Sequence, residues 1–214
     1  DATAGTLLFN LAAESHVDRS IISPADFISS NITGTANLLE LCRQHQLPML
    51  QVSTDEVYGS IDKPGLFTEQ SPLAPSSPYS ASKASADLLC QAAHRTYGQD
   101  VTITRCSNNY GAHQFPEKLI PLMVRAALRD QPLPIYGNGT QVRDWIHCDD
   151  HCDALIATAD RGKAGEIYNI GANTERTNLE IVQLILDTLE KSNSRITHVN
   201  DRPAHDQRYA IDAS

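Results

Sequence analysis

Pro48-Met49-Leu50-Gln51-Val52-Ser53 (PMLQVS) runs directly into the polar cluster Thr54-Asp55-Glu56. A short apolar run closed by polar residues reads as a buried strand whose working end is its carboxyl end. The pattern repeats outward from it. Upstream, Thr6 to Ala13 (TLLFNLAA) is another run of buried-strand type. Between the two, Asn31 to His45 carries Ile32, Ala36, Leu38, Leu39 and Cys42, roughly a helical stripe. Downstream, Gly59 to Ser77 is rich in Pro, Ser and Gly and reads as loop. Tyr79 to Tyr97 is expected to be helical, with Ala84, Leu88, Ala92 and Arg95 recurring at helical steps, and Val101 to Cys106 (VTITRC) is β-branched and strand-like.

The alternation continues less regularly. Helices are expected over Lys118–Asp130 and Asp149–Asp160, and strands at Leu133–Tyr136 and Ile167–Ile170, with a turn at Gly137-Asn138-Gly139. Thr177 and Glu180 have capping-box spacing, so a helix should run from there to about Glu190, and Arg195–Val199 suits a last strand. Strand–helix alternation with near-continuously apolar strands implies an α/β fold, a parallel sheet covered on both faces. Ligands in such folds bind beyond the carboxyl ends of the strands, where Thr54-Asp55-Glu56 and Ser107-Asn108-Asn109 are expected.

Composition narrows the classes. The 214 residues are 41% hydrophobic and 20% charged, which supports a packed core. The net charge of −9 argues against nucleic acid as a partner. Five cysteines, odd in number and irregular in spacing, with no secretory signal ahead of them, point to reduced thiols and a cytoplasmic location. No apolar run approaches the length of a membrane helix. Asp1 at one end and Asp212-Ala213-Ser214 at the other make both ends look cut.

Three clusters carry chemistry. Tyr79-Ser80-Ala81-Ser82-Lys83 puts a phenol and an ammonium on one helix face, where the lysine is expected to lower the phenol pKa and make it a usable base. Alone, the same spacing also suits an amphipathic helix with a solvated lysine. In Thr54-Asp55-Glu56 two adjacent carboxyls at a strand end repel. One can stay protonated while the other ionises, as loss of water requires; a polar cap is the plainer alternative. In Leu11-Ala12-Ala13-Glu14-Ser15-His16-Val17-Asp18 small residues after a strand allow close approach of a ligand, or form an ordinary loop exit.

Together the clusters resemble the extended short-chain dehydrogenases that modify nucleotide sugars. The wording Thr54-Asp55-Glu56-Val57-Tyr58-Gly59 is similar to the dTDP-glucose 4,6-dehydratases. Further stretches resemble that family from end to end: Ala12–Ser20, Tyr79–Asp87, Cys106–Gly111, Phe115–Pro121, Leu133–Gly139, Arg143–Trp145, Gly165–Gly171 and Asp201–Asp212. The resemblance implies a Rossmann-like sheet with its N-terminal part missing and a smaller C-terminal α/β substrate-binding lobe. Residues 1–112 would belong to the first and 113–214 mainly to the second, with Leu133 to Ile170 partly returning to the main sheet.

It also implies an internal redox cycle on dTDP-glucose with NAD: oxidation at C4, loss of water across C5 and C6, reduction at C6. Tyr79 would take the C4 hydroxyl proton, and Lys83 would hold the cofactor ribose. Thr54 would bind near the C4 oxygen, Asp55 would protonate the departing C6 hydroxyl, and Glu56 would remove the C5 proton. Leu11, Ala12, Ala13, Ser15, Ser30 and Asn109 match positions lining NAD, and Ser15 also approaches the sugar. Asn108, Lys118, Leu119, Tyr136, Arg143, Asn178, Arg202 and His205 match positions holding the nucleotide diphosphate, with Pro134 and Ile135 on the base-binding strand. A homodimer through helices 31–45 and 79–97 would follow. Alternatives for single residues are an Arg143 pairing with Asp144 or Asp149, an Asn178 that merely neighbours a helix cap, and a solvated Arg202.

Two features stand apart. The family's glycine-rich G-x-x-G-x-x-G turn, and its acidic partner for the adenosine ribose, do not occur in these residues. His147-Cys148-Asp149-Asp150-His151-Cys152 has the look of a metal site but is expected to be a helix start with no metal. A UDP-glucose dehydratase, a nucleotide-sugar 4-epimerase, and a non-catalytic binding or dimerising chain are the competing readings.

Overall fold

Apolar side chains point to both faces of the central strands because helices cover both faces. The computed structural model describes residues 6–61 and 64–214; positions 62 and 63 of the expected loop lie outside them. The main sheet is four parallel strands in the order β1-β2-β3-β7: β1 (Leu8–Asn10), β2 (Met49–Thr54), β3 (Val101–Cys106) and β7 (Ile167–Ile170). Met49, Val101 and Ile103 pack under α3 (Gly34–His45) and α4 (Pro78–Tyr97) through Leu39, Cys42, Cys90 and Ala93. Leu50, Cys106 and Ile170 face the other way, onto Leu155 of α6 (Cys148–Arg161). This strict alternation is the pleat period of two.

The chain enters α3 through an unusual passage. Helix α2 (Ala25–Phe27), a π-helical turn (Ile28–Thr33) and α3 run on without leaving helical backbone, so the helix starts earlier than Asn31. A short α1 (Val17–Ile22) precedes it.

The second lobe has its own core. Met123, Ala126 and Ala127 of α5 (Leu119–Leu128), Val182 and Leu186 of α7 (Asn178–Thr188), and Leu133 and Ile135 of β5 (Leu133–Tyr136) are all buried together. β5 pairs in parallel with β9 (Ile196–Val199). A third sheet joins β4 (Asn108–Tyr110), β6 (Val142–His147) and β8 (Glu175–Thr177) in the order β4-β6-β8. Of the stretch from Leu133 to Ile170, β7 is the strand paired within the main sheet.

The first strand is shorter than expected: after Asn10 the chain leaves the sheet and residues 11–15 are exposed. Strand β6 was not expected from the sequence. Arg143 and Asp144 sit inside it, both buried, and their charges mask the apolar signal. The fold class holds: a parallel sheet with helices on both faces, beside a smaller α/β lobe. Among the described residues no helix is long and apolar enough to cross a membrane.

Candidate active site

The carboxyl end of β2 carries the paired carboxyls. Thr54 ends the strand in extended backbone, and its hydroxyl accepts from the Glu56 N–H at 3.3 Å, capping the short 3-10 turn Asp55–Tyr58. The same hydroxyl donates to Asp55 Oδ1 at 3.3 Å. Asp55 is 2% exposed, and its Oδ2 is buried without a hydrogen-bond partner. Burial, then the neighbouring Glu56, pushes its pKa up to about 8. Burial also raises Glu56, but the cations Arg143, Arg202 and Lys118 oppose the rise, and Glu56 opens onto a cavity. Burial therefore favours the protonated form of Asp55, whereas at Glu56 three cations oppose the same effect. That division suits one proton donor and one acceptor.

Helix α4 brings up the phenol and the ammonium. Ser77 and Ser80 form a capping box with Pro78 in the first turn, which fixes where the helix starts. Tyr79 donates its N–H to Ser20 Oγ at 3.1 Å, and its ring meets Phe27 edge-on. Lys83 Nζ donates to the carbonyl of Val52, inside β2, at 2.7 Å. Thr54, Tyr79 and Lys83 thus meet at one strand end. The phenol pKa lies well above its ordinary value, raised by burial first and then by Glu56; the Thr54 hydroxyl opposes this. Burial lowers the Lys83 pKa. The direction at Tyr79 differs from the sequence expectation because desolvation and two carboxyls outweigh one desolvated ammonium.

The positions matched to NAD border the same end of the sheet. Leu11, Ala12, Ala13, Glu14 and Ser15 follow β1 and are exposed, Leu11 by 59%. Asn31, in the π turn beside Ser30, holds this loop. Its Oδ1 accepts from the Glu14 N–H, its Nδ2 donates to the Glu14 carbonyl, both at 2.9 Å, and Nδ2 also reaches Ser82 Oγ on α4 at 2.8 Å. Asn109 on β4 lies within 2.8 Å of His151 Nδ1. Exposed small and apolar residues at a strand end, next to Tyr79 and Lys83, fit the nicotinamide-ribose half of NAD. A turn for its pyrophosphate is not among these residues.

A cavity of about 490 Å³ opens between the lobes. Ser15, Asn108, Lys118, Leu119, Pro134, Ile135, Tyr136, Arg143, Asn178, Arg202 and His205 all line it, together with Glu56. Thr54 is the one expected substrate-side residue outside that lining. Lys118 Nζ reaches the Ser15 carbonyl at 2.7 Å, which joins the lobes at the mouth. Arg143 is buried, stacks over the Tyr209 ring at 4.1 Å, and donates to the carbonyls of Val142 and Asp206. Among the described residues no carboxylate lies within ion-pair distance of it. Asp144 instead accepts from the N–H groups of Ala172 and Thr174. Arg143 therefore lines the cavity with a charge that no carboxylate among the described residues pairs. Arg202 pairs with Asp18 at 3.3 Å, and Tyr136 donates to the same carboxylate at 2.9 Å.

His16, Asp18, Trp145 and Tyr209 also line the cavity and were not expected there. Each lies inside a motif quoted above, so the signal marked the neighbourhood without marking the side chain. The His–Cys stretch separates. His147, Cys148 and Asp149 come within 4.8 Å of one another, while His151 turns inward to Asn109 and Cys152 is exposed. His147 accepts from the Asp149 N–H and so caps α6.

Comparison with known proteins agrees with this geometry. Residues 4–214 match the model of the GDP-mannose 4,6 dehydratase family. A dTDP-glucose 4,6-dehydratase of Xanthomonas campestris pv. campestris (strain B100) is 52% identical over 97% of this chain. The DesIV dTDP-glucose 4,6-dehydratase of Streptomyces venezuelae, solved with NAD and TYD bound, superposes with a TM-score of 0.95 at 51% identity, over 97% of this chain and 64% of that one. A UDP-glucuronic acid 4-epimerase of Bacillus cereus, solved with UDP-glucuronic acid and NAD, gives a TM-score of 0.92 at 28% identity, over 97% of this chain and 66% of that one. The chain spans 64% of the length of the Xanthomonas relative. By its match over residues 4–214, the chain belongs to the GDP-mannose 4,6 dehydratase family.

Proposed function

We propose that this chain carries the catalytic and sugar-nucleotide-binding part of a dTDP-glucose 4,6-dehydratase, a hydro-lyase that uses NAD. The observation that carries the reading is the environment of Asp55 and Glu56. One carboxyl is sealed, with an oxygen that has no partner among the described residues, its neighbour opens on a cation-lined cavity, and Tyr79 stands beside both. An epimerase needs the Tyr79–Lys83 pair but has no use for this split pair of carboxyls. Similarity to dTDP-glucose dehydratases at about half identity supports the dTDP sugar over the UDP sugar.

In this reading residues 1–112 complete the cofactor domain, and 113–214 form most of the sugar-nucleotide lobe. Leu11, Ala12, Ala13, Ser15, Ser30 and Asn109 line the nicotinamide side, with Lys83 on the ribose. The cofactor, when bound, supplies the hydride acceptor for C4 and the donor for C6. Tyr79 would take the C4 hydroxyl proton once the positive charge of a bound nicotinamide offsets the burial that raises its phenol, and Thr54 holds the oxygen. Once C4 is a ketone its neighbour C5–H is acidic enough for a carboxylate, and Glu56 removes that proton. Asp55 gives its proton to the C6 hydroxyl as it leaves. Arg143, Lys118 and Arg202 hold the diphosphate with Asn108, Leu119, Asn178 and His205, and Pro134, Ile135 and Tyr136 bound the base. The exposed faces of α3 and α4, with Leu41, Leu88 and Tyr97 outward, would pack against a second copy to form a homodimer. Five free thiols suit a reducing compartment such as the cytoplasm.

The test supplies the chain with NAD and dTDP-glucose, then UDP-glucose, and follows the sugar nucleotide by mass spectrometry. A product lighter by one water from dTDP-glucose supports the reading. An epimer of unchanged mass would leave Asp55 and Glu56 without these roles. Binding of dTDP-glucose without turnover would mark a sugar-nucleotide-binding chain.

A further inference from the structure

Beneath the paired carboxyls lies a buried polar chain that the mechanism above does not use. Tyr58 ends the turn carrying Asp55 and Glu56 and is 1% exposed. Its hydroxyl donates to Asn169 Oδ1 on β7 at 2.8 Å and accepts from Arg105 Nη1 on β3 at 2.9 Å. Arg105 Nε donates in turn to Asp87 Oδ2 at 2.9 Å. Asp87 stands on α4, one helical turn beyond Lys83. Asp87 and Arg105 are sealed from solvent, with side-chain exposures of 0% and 2%.

A fully buried ion pair is a weak source of stability, because desolvation offsets most of the attraction. Its geometry here does something more specific. The guanidinium bonds α4 with one nitrogen and Tyr58 with another, and also lies over the Tyr58 ring at 4.8 Å. It therefore fixes the distance between the helix bearing Tyr79 and Lys83 and the turn bearing Asp55 and Glu56. Beyond Tyr58 the turn is closed just as firmly. Gly59 has φ +80°, and a Cβ there would lie 2.3 Å from the Ala74 carbonyl oxygen. Phe67 stacks on Tyr58 with ring centroids 5.0 Å apart. Asn169 donates to the carbonyls of Phe67 and Asp212.

We propose that Tyr58, held by Arg105, Asp87 and Asn169, is a positioning residue that sets the Asp55–Glu56 pair against the Tyr79–Lys83 pair, so that water is lost as soon as C4 is oxidised. The part concerning water loss rests on the dehydratase reading; the part concerning position does not. Tyr58 touches neither substrate nor cofactor in this scheme and acts through the turn.

The variant is Tyr58→Phe, which keeps the ring and removes the hydroxyl. Two readouts follow it. The first is the titration of the Asp55 carboxyl by carbon NMR of labelled aspartate in this chain, assigned against Asp55→Asn; the groups facing it are Thr54, Glu56, Tyr79, Cys106, Arg143 and Asp144. The midpoint should fall from about 8 toward the ordinary carboxyl range as the turn loosens and admits water. The second, with NAD and dTDP-glucose, is the ratio of C4 oxidation to water loss, read as reduced-cofactor absorbance against dehydrated sugar. Water loss should slow roughly tenfold to a hundredfold more than oxidation, as a small misplacement of reacting groups does. Phe67→Leu, which removes the stacked ring and leaves the hydroxyl bonds, should shift both readouts in the same direction but less than Tyr58→Phe. Asn169→Ser, which removes the acceptor of the Tyr58 hydroxyl, should shift both in the same direction and stands in if Tyr58→Phe does not fold. An unchanged Asp55 midpoint in a folded variant, or equal loss of both half-reactions, overturns the proposal. If the parent chain, which lacks the pyrophosphate turn, shows no turnover, the Asp55 titration alone decides the positioning claim.

Discussion

Replacing Asp55 by Asn exchanges a titrating carboxyl for a neutral group of the same shape. The ordinary aspartate value is 3.8, and in the fold it rises to about 8. That difference corresponds to a free energy of at most roughly 6 kcal/mol against the ionised form. The sign follows from proton counting. Between the two values the folded chain keeps a proton that the unfolded chain has released, so this group's contribution falls as pH rises, by about 1.4 kcal/mol per pH unit. Below about pH 4 both states are protonated and above about pH 8 both are ionised, so the dependence levels off at each end. The amide that replaces the carboxyl does not titrate. The stability of Asp55→Asn relative to the parent should therefore be near its floor at about pH 4, climb steadily, and reach a plateau above about pH 8. Urea denaturation of both proteins across that range measures the difference directly. A difference that stays flat between about pH 5 and about pH 8 would refute the buried, protonated Asp55 and the acid role built on it. Turnover should fall about a hundredfold to ten-thousandfold, since the amide cannot give up a proton to the departing hydroxyl.

Arg143→Met keeps the bulk over Tyr209 and removes the charge; dTDP affinity measured by calorimetry should drop by about 1.5–3 kcal/mol. Because Arg143 holds Asp55 and Glu56 down, the acidic limb of the pH–rate profile should also move upward in that variant. Arg105→Leu leaves Asp87 buried without its guanidinium and should cost about 3–5 kcal/mol by urea denaturation, while Arg105→Leu combined with Asp87→Leu should cost less than the sum of the single changes. Asn31→Ala removes the bonds to Glu14 and Ser82; stability should fall by about 2–3 kcal/mol, and NAD affinity should weaken while dTDP affinity stays the same.

The sequence marked what obeys local rules. The apolar runs at β2 and β3, the capping pair Thr177 and Glu180, and the helical steps over Tyr79–Tyr97 are where the structure has them. It also marked the cavity, since nearly all the expected substrate-side residues line it. What stayed hidden depends on partners far apart in the chain. Strand β6 was missed because Arg143 and Asp144, which look like surface residues, are satisfied by Asp206, Ala172 and Thr174 in other segments. The pKa of Tyr79 ran opposite to the expectation because local spacing shows the lysine but not the burial or the approach of Glu56. The role of Asn31 needed the π turn, which no short-range pattern announces.

That π turn sets a phase. A helix repeats every 3.6 residues, so one residue gained or lost rotates everything after it by about 100°. The wide turn at Ile28–Thr33 absorbs such an offset between two clocks: one that aims Asn31 at the loop after β1, and one that aims Leu39 and Cys42 at the sheet. Deleting a single residue from this turn would leave the composition almost untouched. It would also force the helix to choose between holding the loop and filling the core.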